Sequence, residues 1–104
     1  MYIIFGDNAV KALKENYTIL ELEEISNNGI SARAYCVVPG DKISLFELPE
    51  LEQNKKIHSD FVRAYENKNY NYCIQAAEHL IGKFGGELDS FYTEILDRID
   101  KQTV

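Results

Sequence analysis

The stretch TILELEEISNNGISARAYCVV, Thr18 to Val38, decides the fold. Two runs rich in β-branched, aliphatic and aromatic residues flank Ser26-Asn27-Asn28-Gly29, a composition that turns a chain back on itself as a β-hairpin. Register follows from which faces the side chains take. A two-residue Asn28-Gly29 loop sets Glu21 opposite Cys36 and Glu23 opposite Ala34, mixing charge into an apolar row. A three-residue Asn27-Asn28-Gly29 loop, with Gly29 left-handed, sets Leu20 and Leu22 opposite Cys36 and Ala34 and pairs Glu23 with Arg33 on the other face. The three-residue loop is the expectation, because it gives one dry face and one wet face.

Outward from the hairpin, Tyr2-Ile3-Ile4-Phe5 ending at Gly6 reads as a first strand. Asp7 is placed to cap a short helix carrying Val10, Leu13 and Tyr17 on one side. Pro39-Gly40-Asp41 makes the next turn, and Ile43-Ser44-Leu45-Phe46 is expected to return as a fourth strand. At Leu48-Pro49 the texture changes, since proline suits the first helical position and the apolar period beyond it is helical. Leu51, Ile57, Phe61, Ala64 and Tyr65 mark one inner face. Cys73, Ala76, Ala77, Leu80, Ile81 and Phe84 mark a second, with Gly85-Gly86 as its stop. Leu88, Phe91, Tyr92, Ile95, Leu96 and Ile99 mark a third. The expected architecture is α+β: a small antiparallel sheet in the N-terminal half, covered by a C-terminal layer of about three helices. It forms one domain over residues 1–104, mainly strands with one short helix over 1–46 and helical over 49–100.

Composition narrows the function classes. Hydrophobic residues are 45% and charged residues 27%, the balance of a globular domain. No run approaches the roughly 18 apolar residues of a membrane span, and the opening residues lack the basic and long apolar regions of a signal peptide. A cytoplasmic location is therefore expected. Net charge is −6, from 17 acidic and 11 basic side chains, with no basic cluster beyond Lys55-Lys56, which argues against binding a phosphate backbone. Cys36 and Cys73 fall in apolar patterns, so two free buried thiols are expected. A disulfide between them is open on count alone, but a chain with a core this large does not need it.

Two segments carry resemblances. Tyr65 to Ala77, with Asn69, Tyr70, Cys73 and Ile74 in the matching places, resembles the turn between the helices of tetratricopeptide-like repeats. It covers about a tenth of the chain, has Lys68 where the usual glycine stands, and occurs once, whereas a solenoid needs about three repeats. The resemblance implies a helical hairpin and no peptide-binding groove. Leu80 to Tyr92 is similar to the end of small uncharacterised proteins of T4-like, marine tailed phages, which implies an accessory protein and assigns no residue a role.

Candidate chemistry is thin. His58 and His79 have no HxxxH or CxxC spacing and read as solvated helix histidines, and a Cys73–His58 nucleophile pair is opposed by the apolar stripe that holds Cys73. Glu21, Glu23 and Glu24 read as an exposed sheet face partly neutralised by Arg33. Gly82, Gly85 and Gly86 follow a helix and lack the strand-to-helix setting of a phosphate loop. No cofactor and no metal site is expected. The inner stripe of the second helix already supplies six positions, so one of Tyr70 and Tyr72 is expected at the surface. Tyr65, Tyr70 and Tyr72 thus form a candidate interface of the type enriched in protein contacts. The leading expectation is a non-enzymatic interaction or accessory module that binds another protein or itself. The alternative is a small enzyme or ligand binder with its site between sheet and helices, using Glu21, Tyr35 and His58.

Overall fold

A computed structural model describes residues 1–103. The elements run β1 (Tyr2–Phe5), α1 (Asp7–Leu13), β2 (Thr18–Asn27), β3 (Ile30–Val38), α2 (Leu51–Glu66), α3 (Tyr70–Leu80) and α4 (Asp89–Thr103). Short 3-10 turns occupy Gly40–Lys42, Leu48–Glu50 and Phe84–Gly86. The sheet has the order β1-β3-β2 with both pairings antiparallel, so β1 and β2 are parallel outer strands joined by the α1 crossover. The principal extents of 40 × 36 × 18 Å fit one sheet and one helical layer.

Alternation in the hairpin decides which face the helices cover. Leu20, Leu22, Ala34, Cys36 and Val38 are all buried, and they form one cluster with Phe61, Leu80, Phe84, Leu88, Tyr92, Ile95 and Ile99 from the helical half. At roughly 1.5–3 kcal/mol for each large apolar side chain removed from water, this cluster is the main source of stability. The expected α+β arrangement is thus observed. Both thiols are free and fully buried, and loss of hydration pushes each up to about 11.

Four local expectations are corrected. The hairpin loop is the two-residue Asn28-Gly29, with φ of 54° and 80°, the pair of positive angles a primed turn requires. The apolar register is nevertheless Leu20 opposite Cys36, because a bulge between Glu21 and Glu24 inserts one residue into β2. Near the turn the pairing is Glu24 with Arg33, and beyond the bulge Glu21 faces Tyr35. The bulge lets a tight turn and a dry face coexist, which an unbroken ladder cannot do.

The fourth strand is absent among the described residues. Ser44 Oγ accepts from the Phe46 amide at 3.1 Å and Ser44 O accepts from the Glu47 amide at 2.9 Å, closing residues 44–47 into a turn. A hydroxyl that bonds its own backbone offers the chain an alternative to a ladder. Helix α3 stops at Leu80, ahead of Gly85-Gly86, with Gly82 at φ 91° and its amide bonded to Asp89 Oδ1 at 2.8 Å. Ile81 is therefore exposed. Asp7 begins α1 rather than capping it, and its Oδ1 accepts from the Tyr35 hydroxyl at 2.9 Å.

Helices α2 and α3 form an antiparallel hairpin through Asn67–Asn69. Lys68 is left-handed there (φ 61°), and Asn69 caps α3 by accepting from the Tyr72 amide. No helix among the described residues is long and apolar enough to cross a membrane.

Candidate functional site

The bulge leaves two carbonyls of β2 for side chains to claim. Arg33 Nη1 donates to Leu22 O at 2.9 Å, and His58 Nε2 donates to Glu21 O at 2.6 Å. A carbonyl only accepts, so the proton sits on Nε2, and Nδ1 accepts from the Tyr92 hydroxyl at 2.7 Å. His58 is fully buried, and desolvation lowers its pKa, so it is held neutral. The solvated-histidine expectation is corrected for His58. Helix α2 uses it to tie its buried face to an outer strand and to α4 at once.

The signal for this role was in the spacing. Asn54 and His58 lie four apart, and His58 stands three and four residues from Phe61 and Val62, so all four share one stripe. A polar residue inside an apolar stripe requires a buried partner. His79, on α3, donates from Nε2 to Asn54 Oδ1 at 2.8 Å and leaves Asn54 Nδ2 buried without a partner.

Around this buried pair, charges close the seam between sheet and helices. Arg63 bonds Glu21 Oε2 at 2.6 Å and also Glu66, while Arg33 bonds Glu66 Oε2 at 2.8 Å and lies 3.7 Å from Glu21. Hydrogen bonding from Arg33, then from Arg63, holds the Glu66 carboxyl below its ordinary range. Arg98 of α4 bonds Glu23 at 2.6 Å beside the bulge.

Glu21, Tyr35 and His58 are therefore not assembled as a site. Glu21 and Tyr35 are cross-strand neighbours, but Tyr35 is turned to Asp7, and His58 meets only the backbone of Glu21. Both ring nitrogens of His58 are occupied, which excludes the pairing with Cys73, whose thiol lies 3.7 Å from Phe61 O. Among the described residues no three His, Cys, Asp or Glu side chains converge as metal ligands.

Tyr65, Tyr70 and Tyr72 are all half-buried against the core cluster. The rings of Tyr65 and Tyr70 lie 6.2 Å apart, and the Tyr70 hydroxyl bonds Gln102. Neither Tyr70 nor Tyr72 stands clear at the surface, since each is half-buried against the core. Tyr65 and Tyr70, with Leu22, Glu23, Glu24 and Gln102, line a cleft of about 330 Å³ under the bulge.

The strongest surface feature lies elsewhere, in the 43–48 loop. Ile43 is buried and anchors one end. At the other end Glu47 Oε1 accepts from the Phe84 amide at 2.7 Å. Behind the loop, Gly85 (φ 66°) lies so near Lys42 that a Cβ there would stand 2.2 Å from Lys42 O. Between these anchors Leu45 is 80% exposed and Phe46 96%, with Leu48 half-exposed beside them. The sequence hides this knob because Ile43-Ser44-Leu45-Phe46 has the composition of a strand. Ser44, two residues before Phe46, was the available turn signal.

No family model, curated protein or solved structure matches the chain.

Proposed function

We propose that this chain is a non-enzymatic interaction module that docks Leu45 and Phe46 into an apolar pocket of a partner protein. The carrying observation is the knob itself: two adjacent large apolar side chains held almost wholly in water by a loop fixed at both ends. Leaving a Leu and a Phe exposed forgoes roughly 1.5–3 kcal/mol each that burial would return. A rigid presentation also removes much of the ordering cost that a flexible loop meets on binding. The occupied polar groups of the seam, and the absence of convergent ligands among the described residues, support a binding role over catalysis.

A photo-crosslinking phenylalanine analogue at position 46, in cells of the source organism, tests this. The expected result is one dominant protein adduct that disappears when Leu45→Ser is added. A diffuse adduct pattern like that from the same probe at exposed Lys14 contradicts the proposal.

The cleft under the bulge favours a second reading, a ligand site between sheet and helices. Its volume is at the lower end for small-molecule sites, and Glu23 and Glu24 would select a cationic ligand. Chemical-shift changes at Tyr65 and Tyr70 on adding small amines, absent in Glu23→Gln, would support it; unchanged shifts remove it.

A further inference from the structure

We infer that two copies of this chain join edge to edge through β1, extending the three-stranded sheet to six strands. The inference follows from the direction of backbone groups. The Gly6 amide donates to Arg33 O at 3.1 Å, continuing the register in which Ile4 faces Tyr35 and Tyr2 faces Val37. In an antiparallel ladder, residues that exchange hydrogen bonds with one neighbour alternate with residues whose N–H and C=O point the other way. Tyr2, Ile4 and Gly6 therefore bond β3, while Ile3 and Phe5 direct both of their backbone groups away from the sheet.

Nothing on this strand discourages a second strand. Natural sheets blunt their edges with Lys, proline, bulges or a covering element. Tyr2-Ile3-Ile4-Phe5 has no charge and no proline, its ladder to β3 is regular, and Tyr2, Ile3 and Phe5 are 64%, 45% and 55% exposed. Helix α1 offers no cover at this edge. Leu13 on α1 lines one pocket with Tyr2 and Val37, and these two lie on the face opposite Ile3 and Cys36.

A second copy is the occupant that fits, because a two-fold axis normal to the sheet through Ile4 makes the edge complementary to itself. Ile3 then stands opposite the second copy's Phe5, and Phe5 opposite its Ile3. All four outward groups of each strand are paired, and the contact closes on itself as an isologous dimer. On the helix-covered face Ile3 packs beside the second copy's Phe5, next to an open groove of about 370 Å³ lined by Met1, Ile25 and Phe91 and, on its charged side, by Glu23 and Glu94. With free side chains of roughly 200 Å², the exposed parts of Met1, Tyr2, Ile3 and Phe5 come to about 400 Å² per copy, or about 800 Å² in total, the size of a weak, transient contact. Such a dimer is weak, because little area is buried to offset the loss of translational and rotational freedom on association. The knob lies on the 43–48 loop, outside the paired strand, so a dimer presents two knobs and engages a two-site partner by avidity.

Sedimentation equilibrium over a range of concentrations, combined with Ile3→Pro, tests the pairing. Proline at position 3 removes an outward N–H and leaves the ladder to β3 intact. The wild type is expected to show a monomer–dimer equilibrium, and Ile3→Pro to weaken it at least about tenfold without lowering Tm. Phe5→Lys, which keeps every backbone group, weakens it as well and serves if Ile3→Pro fails to fold. Leu45→Ser/Phe46→Ser leaves the dimer unchanged, which separates this inference from the docking proposal. A wild type that stays monomeric at millimolar concentration overturns the inference. So does a folded Ile3→Pro or Phe5→Lys variant that dimerises like the wild type, or loss of the dimer in the knob variant.

Discussion

The two outer strands of this sheet end in opposite ways. At β2 the ladder is bulged, a histidine from α2 and an arginine from β3 take the carbonyls of Glu21 and Leu22, and four alternating charges lie across the seam. At β1 the ladder is regular, the side chains are apolar, and the N–H and C=O groups of Ile3 and Phe5 point away from the sheet. The difference teaches that a small sheet covered on one face by helices has cover for one edge only. Helix α2, docked along β2, supplies it there. The edge left over has the sequence of a strand prepared for pairing, and the knob at residues 45–46 is a second, separate apolar feature held in water by specific hydrogen bonds.

The largest effect is expected where the closed edge is opened. His58→Ala removes a fully buried ring and orphans both the Tyr92 hydroxyl and the Glu21 carbonyl. The expected loss is roughly 3–5 kcal/mol of unfolding free energy, read by denaturant titration. A loss near zero would mean that His58 does not close this edge. Tyr92→Phe is milder, because it deletes one hydroxyl and leaves His58 Nδ1 without its donor, at a cost of about 1–3 kcal/mol in the same titration.

Acid probes the same bond without mutation. The folded-state pKa of His58 is lowered, so in the window below the ordinary histidine value of about 6.5 the unfolded chain binds a proton that the folded chain refuses. Stability is therefore full above that value and declines as pH falls toward the folded pKa. Tm followed from pH 8 to pH 5 should drop in the wild type and hold steadier in His58→Gln. Parallel curves for the two would remove His58 as the cause.

The smallest effect belongs to the open edge. Phe5→Lys touches only a half-exposed ring and is expected to change the stability of the dilute monomer by no more than about 0.5 kcal/mol. A large loss would show that the Phe5 ring is held by packing within the monomer.

Much of this fold was legible before any coordinates. The hairpin, the break at Pro49 and three helical stripes each follow from a period that burial enforces, and the residues of those stripes lie in or against the core, with Ile81 the exception. What failed was local. The Asn28-Gly29 loop by itself gives a register that conflicts with a dry face, and a bulge, which leaves no pattern in one sequence, reconciles the two. The 43–46 segment had strand composition but a serine placed to bond its own backbone. His58 was misread because a lone histidine is usually solvated, although its place on the stripe between Asn54 and Phe61 marked it as buried. Of the candidate residues, Glu21 and His58 lie at one seam as structural bonds between sheet and helix, while Tyr35 is turned to Asp7.

The contrast between the edges is tested most directly by residue-resolved amide hydrogen exchange in β1 at two concentrations. In dilute protein, the Ile4 and Gly6 amides, bonded to β3, should exchange slowly while those of Ile3 and Phe5 exchange fast, and raising the concentration should slow Ile3 and Phe5 alone. Equal protection of all four at every concentration, or fast exchange at Ile3 and Phe5 however concentrated the protein, would contradict an edge that is open in the monomer and paired between copies.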